Sequence, residues 1–259
     1  MQNDSKISLE DAYALKTPAD NVALYRHWAE TYDLEFARQR GYQYPQKIAD
    51  IYAHYAKPDD NPILDVGSGT GLVGTALQEH QAINAQLTID GVDISPEMLA
   101  ISRTKKVYRH LYEADLTQSI DLPENQYGAV VSAGTFTHGH VGPEALVTLL
   151  RLCRAGALFV IGVNGTAFDQ YHFGSHFAAL QADQHITPIE FIRVQYYATA
   201  TDGHAADQGY ALGDRYPTVS DGYYIMLKPL HEGEHTLHFS VAGFLDVTYH
   251  LTVTEDDDD

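Results

Sequence analysis

Residues Ile63 to Gly71 read I-L-D-V-G-S-G-T-G, and a helix-capable segment from Leu72 to His80 follows at once. Four residues of buried-strand character run into a turn with glycine at every second position. Gly67, Gly69 and Gly71 let the backbone turn sharply and leave no side chain between it and a ligand. The following helix aims its free amide groups and positive dipole end at whatever sits there. Asp65, inside the end of the strand, is the unusual element. A phosphate site would not place a carboxylate there, whereas a ligand with an ammonium or sulfonium group would be favoured by one. The turn therefore points to a nucleotide-like ligand with a cationic end.

Strand and helix patterns alternate downstream. Leu87 to Val92 reads as a second strand ending in Asp93, about twenty residues beyond the glycines, where an acid can accept both hydroxyls of a ribose. Ile94-Ser95-Pro96-Glu97-Met98-Leu99 opens a helix, with Ser95 as N-cap, Pro96 in the first turn and Glu97 favoured by the dipole. Val107 to Tyr112 forms a third strand-like run that closes in Glu113-Ala114-Asp115-Leu116. Tyr127 to Ala133 reads as a fourth strand, Pro143 to Arg154 as a helix and Ala157 to Val163 as a fifth apolar strand. His185 to Ala198 and Asp207 to Asp214 carry two more strand patterns. Too few residues separate them for a helical crossover, so they are expected to close the sheet as an antiparallel hairpin.

The acid-x-Gly-x-Gly-x-Gly turn after a first strand resembles motif I of the class I S-adenosylmethionine-dependent methyltransferases. The order of strands and acids agrees with that family. The resemblance implies an α/β fold: a doubly wound, Rossmann-like, seven-stranded sheet whose last strand is antiparallel. It implies S-adenosylmethionine as cofactor and methyl transfer to a small-molecule acceptor. Cofactor contacts are implied for Asp65, Gly67, Ser68, Gly69, Gly71, Asp93, Ile94, Met98, Ala114, Asp115, Leu116 and Ser132, with Asp115 bonding the adenine amino group. Two other readings compete. Gly69-Thr70-Gly71-Leu72-Val73-Gly74 also satisfies the G-x-G-x-x-G fingerprint of an NAD-dependent dehydrogenase. Asp65 before the glycines, Asp115 after the third strand and the closing hairpin argue against it. The other reading is a non-catalytic cofactor-binding or interaction protein that works through its C-terminal strands.

Ahead of the first strand, Tyr25, Trp28, Tyr32 and Phe36 recur at spacings of three and four, one face of a helix. Tyr25-x-x-Trp28-Ala29-x-x-Tyr32-Asp33 resembles the N-terminal element that covers the cofactor in many small-molecule methyltransferases, which implies contact between Tyr32 and the methionine moiety. Core packing is the plainer reading and is the one adopted for Trp28. Tyr42 and Tyr44 stand where they could line a substrate mouth. The loop after the fourth strand reads Gly134-Thr135-Phe136-Thr137-His138-Gly139-His140-Val141-Gly142. Imidazole ordinarily ionises near neutral pH, so His138 and His140 suit the role of general base for an acceptor that must lose a proton. The plainer reading is a histidine that stiffens the loop through a backbone carbonyl. A lone H-x-H pair is weak support for a metal, and none is expected. This loop lacks the Asn/Asp-Pro-Pro-Tyr signature of adenine and glutamine N-methyltransferases. The stretch from Tyr127 to Asn164 looks closest to the Williams–Beuren-region methyltransferase-like group. Arg154-Ala155-Gly156-Ala157 departs from that family's usual Pro-Gly-Gly turn.

The chain of 259 residues, 44% hydrophobic, can bury one full core with an appendage. Its formal charge of −19 disfavours nucleic acid and anionic membrane surfaces as partners. Arg103, Lys105, Lys106 and Arg109 cluster, and read as a solvated helix end. The single Cys153 excludes an internal disulfide and is expected to pack within a helix. No run of residues suggests a membrane span or a leader, so cytoplasmic residence is expected.

Phe168 to Asp183 reads as one helix rich in aromatics and histidines, and His172, His176 and His204 are expected to be solvated or to serve binding. The family resemblance stops near residue 215. Beyond it, Leu237, Phe239 and Val241 alternate, as do Val247, Tyr249, Leu251 and Val253, a period-two strand signal. This tail resembles the closing strands of a β-sandwich domain found in secreted proteins. About three strands are too few to stand alone, and their edges favour self-association. The expected organisation is a flexible segment 1–20, a methyltransferase domain 21–215, a short all-β appendage 216–254 and an acidic disordered end 255–259.

Overall fold

The computed structural model describes residues 41–83, 86–137, 141–187, 189–194, 222–226, 233–241 and 245–253, with residues 24, 29, 31–33 and 37 of the N-terminal segment. Helix α1 (Tyr44–Tyr55) leads into β1 (Ile63–Val66), and the glycine turn joins β1 to α2 (Leu72–Glu79). Then follow β2 (Ile89–Asp93), α3 (Pro96–Lys105), β3 (His110–Glu113), β4 (Tyr127–Phe136), α4 (Ala145–Leu152) and β5 (Cys153–Asn164). Helices α5 (Gly165–Gln170) and α6 (Phe173–Ala182) precede β6 (Glu190–Val194), β7 (Gly222–Met226) and the strands β8 (Gly233–Val241) and β9 (Leu245–Val253).

The sheet order is β3-β2-β1-β4-β5-β7-β6. The first five strands in that order are parallel. Strand β7 pairs antiparallel with β5 and with β6. The chain reverses direction across the sheet between β1 and β4, so the carboxyl ends of β1, β2 and β4 open a crevice there. Alternation along β1 sorts the core. Leu64 and Val66 face one layer with Val130, Leu146, Leu149 and Phe173. Ile63 faces the other with Ile48, Tyr52, Val73 and Leu77. Asp65 shares that second face with Ile63, because side chains two apart lie on one side of a strand.

Several boundaries moved. Strand β5 begins at Cys153 itself, so that buried residue opens a strand instead of ending a helix. The helix expected over Phe168 to Asp183 is two helices, α5 starting earlier at Gly165, broken where His172 takes the left-handed conformation with φ 55°. Gly222–Met226, expected in the appendage, instead adds to the main sheet between β5 and β6. Among the described residues, strands β8 and β9 pair only with each other, antiparallel from Gly233↔Val253 to Val241↔Leu245. The expected strand Asp207 to Asp214 and the segments 1–20 and 255–259 lie outside the described residues.

Candidate functional site

The turn after β1 is built by backbone hydrogen bonds to the neighbouring strand. The amides of Gly67 and Ser68 both donate to the carbonyl of Val92, at 2.8 and 3.0 Å, and Gly71 donates to Ser68 at 2.8 Å. Gly67, Gly69 and Gly71 have φ of 65°, 51° and 89°, the left-handed region. At Gly69 a β carbon would be strained by that φ and would meet nothing nearer than the Gly67 carbonyl oxygen at 4.0 Å, so the turn presents open backbone on that side.

Two amides of this turn and helix start are held by side chains. Gly69 donates to Asp93 Oδ2 at 2.8 Å. In the first turn of α2, Gly74 donates to the Tyr108 hydroxyl oxygen at 3.1 Å, and that hydroxyl donates to Asp65 Oδ2 at 2.6 Å. The ring lies so close that a β carbon at Gly74 would sit 2.5 Å from Tyr108 Cζ. Asp65 is wholly buried, and its other oxygen has no hydrogen-bond partner among the described residues. Burial pushes its carboxyl up to about 7, against the Tyr108 hydroxyl, with nearby Asp93 pushing further and the Gly74 amide opposing. Desolvation also raises the carboxyl of Asp93, against the amides of Ser95, Gly69 and Ile94. Two acids held so near each other call for a cation.

Asp93 ends β2 on the same face, and its Oδ1 accepts the Ser95 amide at 2.8 Å. Each oxygen thus takes one amide and keeps a second lone pair. Ser95 Oγ in turn accepts the Met98 amide at 3.2 Å, the N-cap that starts α3, and Met98 is buried. Ile94 is half-buried beside it. Ala114 donates its amide to the Asp93 carbonyl at 3.0 Å, which brings the end of β3 to the same edge. Asp115 Oδ1 accepts the amide and the hydroxyl of Thr117 at 2.9 and 2.7 Å, and Leu116 is buried. Ser68 is buried with its hydroxyl unpartnered among the described residues. Ser132 is wholly buried, and its hydroxyl donates to the Val66 carbonyl at 2.7 Å, so that hydrogen serves the sheet. Tyr32 is half-buried against the core of the Asp65 face. His138 and His140 lie outside the described residues. The end of β4 leading to them is described: Thr135 donates to the Val66 carbonyl at 2.9 Å, and a β carbon at Gly134 would lie 3.2 Å from the Tyr42 hydroxyl.

Residues 64–161 match the family described as a methyltransferase domain. Solved structures share the fold at low identity. A putative S-adenosyl-L-methionine-dependent methyltransferase from Methanococcus maripaludis is 16% identical with a TM-score of 0.51, over 81% of this chain and 94% of that one. A SAM-dependent methyltransferase from Aquifex aeolicus is 16% identical with a TM-score of 0.50, over 78% and 98%. The [4+2]-cyclase SpnF is 17% identical with a TM-score of 0.55, over 84% and 98%. A comparison with curated proteins finds no match. The chain has the methyltransferase fold.

The crevice suits a nucleoside ligand with a cationic end. The open backbone at Gly69, the unpartnered buried oxygen of Asp65 and the spare lone pairs of Asp93 accommodate such a ligand. Sequence reasoning missed Tyr108, which it took for an ordinary strand residue. It also missed Asp33, which follows Tyr32 and carried no assigned role. The basic cluster is corrected in part: Lys105 pairs with Asp33 at 2.6 Å, and Arg109 with buried Asp90 at 2.6 Å. His176 lies 3.8 Å from Glu144 on the surface, and His172 is exposed. Among the described residues no group of three His, Cys, Asp or Glu side chains could hold a metal, and no helix is long and apolar enough to cross a membrane.

Proposed function

We propose that this chain binds S-adenosylmethionine and transfers its methyl group to a small-molecule acceptor. One observation carries the cofactor half of the reading: Asp65 is wholly buried beside the glycine turn with one oxygen unpartnered among the described residues, while the Gly69 amide is held by Asp93. In this reading the spare lone pairs of Asp93 accept the ribose hydroxyls, and the second oxygen of Asp115 accepts from the adenine amino group. Ile94, Met98, Ala114 and Leu116 flank the base. Gly67, Ser68, Gly71 and Tyr32 surround the methionine end, where Asp65 supplies the counter-charge. Ser132 acts by fixing the strand under the turn.

The bound cofactor supplies an electrophilic methyl group on its sulfonium. The chain's task is to hold an acceptor in line with it, and positioning alone can supply much of the rate. The mouth at Gly134 and Tyr42 is where the acceptor would enter, and the following loop carries His138 and His140 as candidates to remove its proton. The formal charge of −19 favours a small acceptor over a nucleic acid.

Isothermal titration calorimetry with S-adenosylhomocysteine, with NAD as control, tests the cofactor assignment. Saturable binding of the first alone supports it; binding of NAD, or of neither, breaks it. Labelled methyl transfer across a panel of small amines, alcohols and thiols then tests the acceptor class. The likeness to a [4+2]-cyclase keeps a second reading in view, in which the fold binds cofactor without transferring methyl. Labelled product formation rules that out.

A further inference from the structure

Three distant parts of the chain meet at Asp33. One carboxylate oxygen, Oδ1, accepts the hydroxyl of Thr70 at 2.5 Å. The other lies 2.6 Å from Lys105 Nζ. Thr70 is buried and sits between Gly69 and Gly71, inside the turn. Lys105 closes α3, the helix that begins just after Asp93. Its ammonium nitrogen is out of solvent and has no directed hydrogen-bond partner among the described residues, so Asp33 is the counter-ion that makes its burial tolerable. Tyr32, the neighbour of Asp33, packs on the core of the same sheet face.

A purely structural staple would join any two elements. This one joins the turn and the helix that flank the cofactor crevice to the segment carrying Tyr32. Any motion that separates Asp33 from the turn strips a counter-charge from a buried ammonium and a partner from a buried hydroxyl. Those groups then need water and dissolved ions. We propose that Asp33 is a positioning residue that retains bound S-adenosylmethionine, by locking the Tyr32–Asp33 segment onto Thr70 and Lys105. The proposal rests on the cofactor assignment above.

The test is release of radiolabelled S-adenosylmethionine from the full chain, chased with excess unlabelled S-adenosylhomocysteine, for wild type, Asp33→Asn, Lys105→Met and the double variant. Each single variant should release cofactor at least about tenfold faster, and the double variant no faster than the quicker single one, because one shared contact is lost only once. Wild-type release should quicken as salt rises from about 50 to about 500 mM, because dissolved ions stabilise the separated charges of the opened pair, and Asp33→Asn should lose that dependence. Thr70→Val asks the same question from the turn if Asp33→Asn is poorly folded. A staple without influence on the cofactor would lower the melting temperature and leave release and its salt dependence unchanged, which overturns the proposal. Additive rates in the double variant overturn it too. Wild-type protein that binds no S-adenosylhomocysteine by calorimetry overturns the cofactor assignment and this proposal with it; normal wild-type binding with unchanged variants overturns this proposal alone.

Discussion

Replacing Asp65 with asparagine should stabilise the cofactor-free protein at alkaline pH while weakening its cofactor site. The carboxyl is wholly buried and is raised from 3.8 to about 7, chiefly by desolvation. In the unfolded chain it ionises near its ordinary value. Below that value both states are protonated and the group costs nothing. As pH rises, the unfolded state gives up its proton first, so stability falls until the folded carboxyl ionises too. The full penalty is about 4 kcal/mol, of which about 2–3 kcal/mol accrues between about pH 5 and about pH 8. Asparagine cannot ionise, and groups common to both proteins largely cancel in the comparison. Denaturant unfolding at the two pH values should therefore show wild type losing about 2–3 kcal/mol more than Asp65→Asn, a difference of about 4–12 °C in melting temperature for a chain this size. A bound cation reverses the preference by holding the carboxylate ionised. Wild-type affinity for S-adenosylmethionine should thus rise over the same pH range, and Asp65→Asn should lose that rise. Parallel pH profiles for the two proteins would refute the argument, because they would mean that Asp65 is hydrated in the fold.

Asp93→Ala removes the acceptor of the Gly69 and Ser95 amides along with the proposed ribose ligand, and should weaken S-adenosylhomocysteine binding by about a hundredfold or more in calorimetry, two charge-assisted bonds being at stake; unchanged affinity would sink the ribose assignment. Tyr108→Phe keeps the ring but leaves the Gly74 amide and an Asp65 oxygen unpaired, at a cost of about 1–3 kcal/mol in urea unfolding. Asp90→Ala leaves the buried Tyr127 hydroxyl and the His110 amide without their acceptor; it should cost about 1–3 kcal/mol in urea unfolding without changing the affinity of folded protein for cofactor in calorimetry, since the cluster lies near the start of β2. His138→Ala and His140→Ala should leave binding intact, and one of them should lower kcat by about a hundredfold or more once an acceptor is known; two variants with unchanged turnover would show that the acceptor needs no base from this loop.

The parts of this protein readable in the sequence are those whose causes lie within a few residues. Glycines that must take positive φ, Ser95 capping the helix at Met98 and an acid ending β2 are local chemistry, and they appear where expected. The parallel order of β1 to β5 follows from alternating strand and helix signals. What the sequence left open depends on contacts between distant residues. Tyr108 reaches Gly74 and Asp65 only because β3, β1 and α2 come together across the sheet, and no local pattern marks a tyrosine for that place. Lys105 and Arg109 looked like solvated cations, because their partners Asp33 and Asp90 come from other elements. Gly222–Met226 reads equally well as a strand of either sheet; its insertion beside β5 is a matter of pairing, which short apolar runs do not encode. The break at His172 carries no glycine or proline to announce it. Sequence alone determined the turn and its charges; tertiary structure decided which amides and hydroxyls hold those charges, because those partners come from other elements.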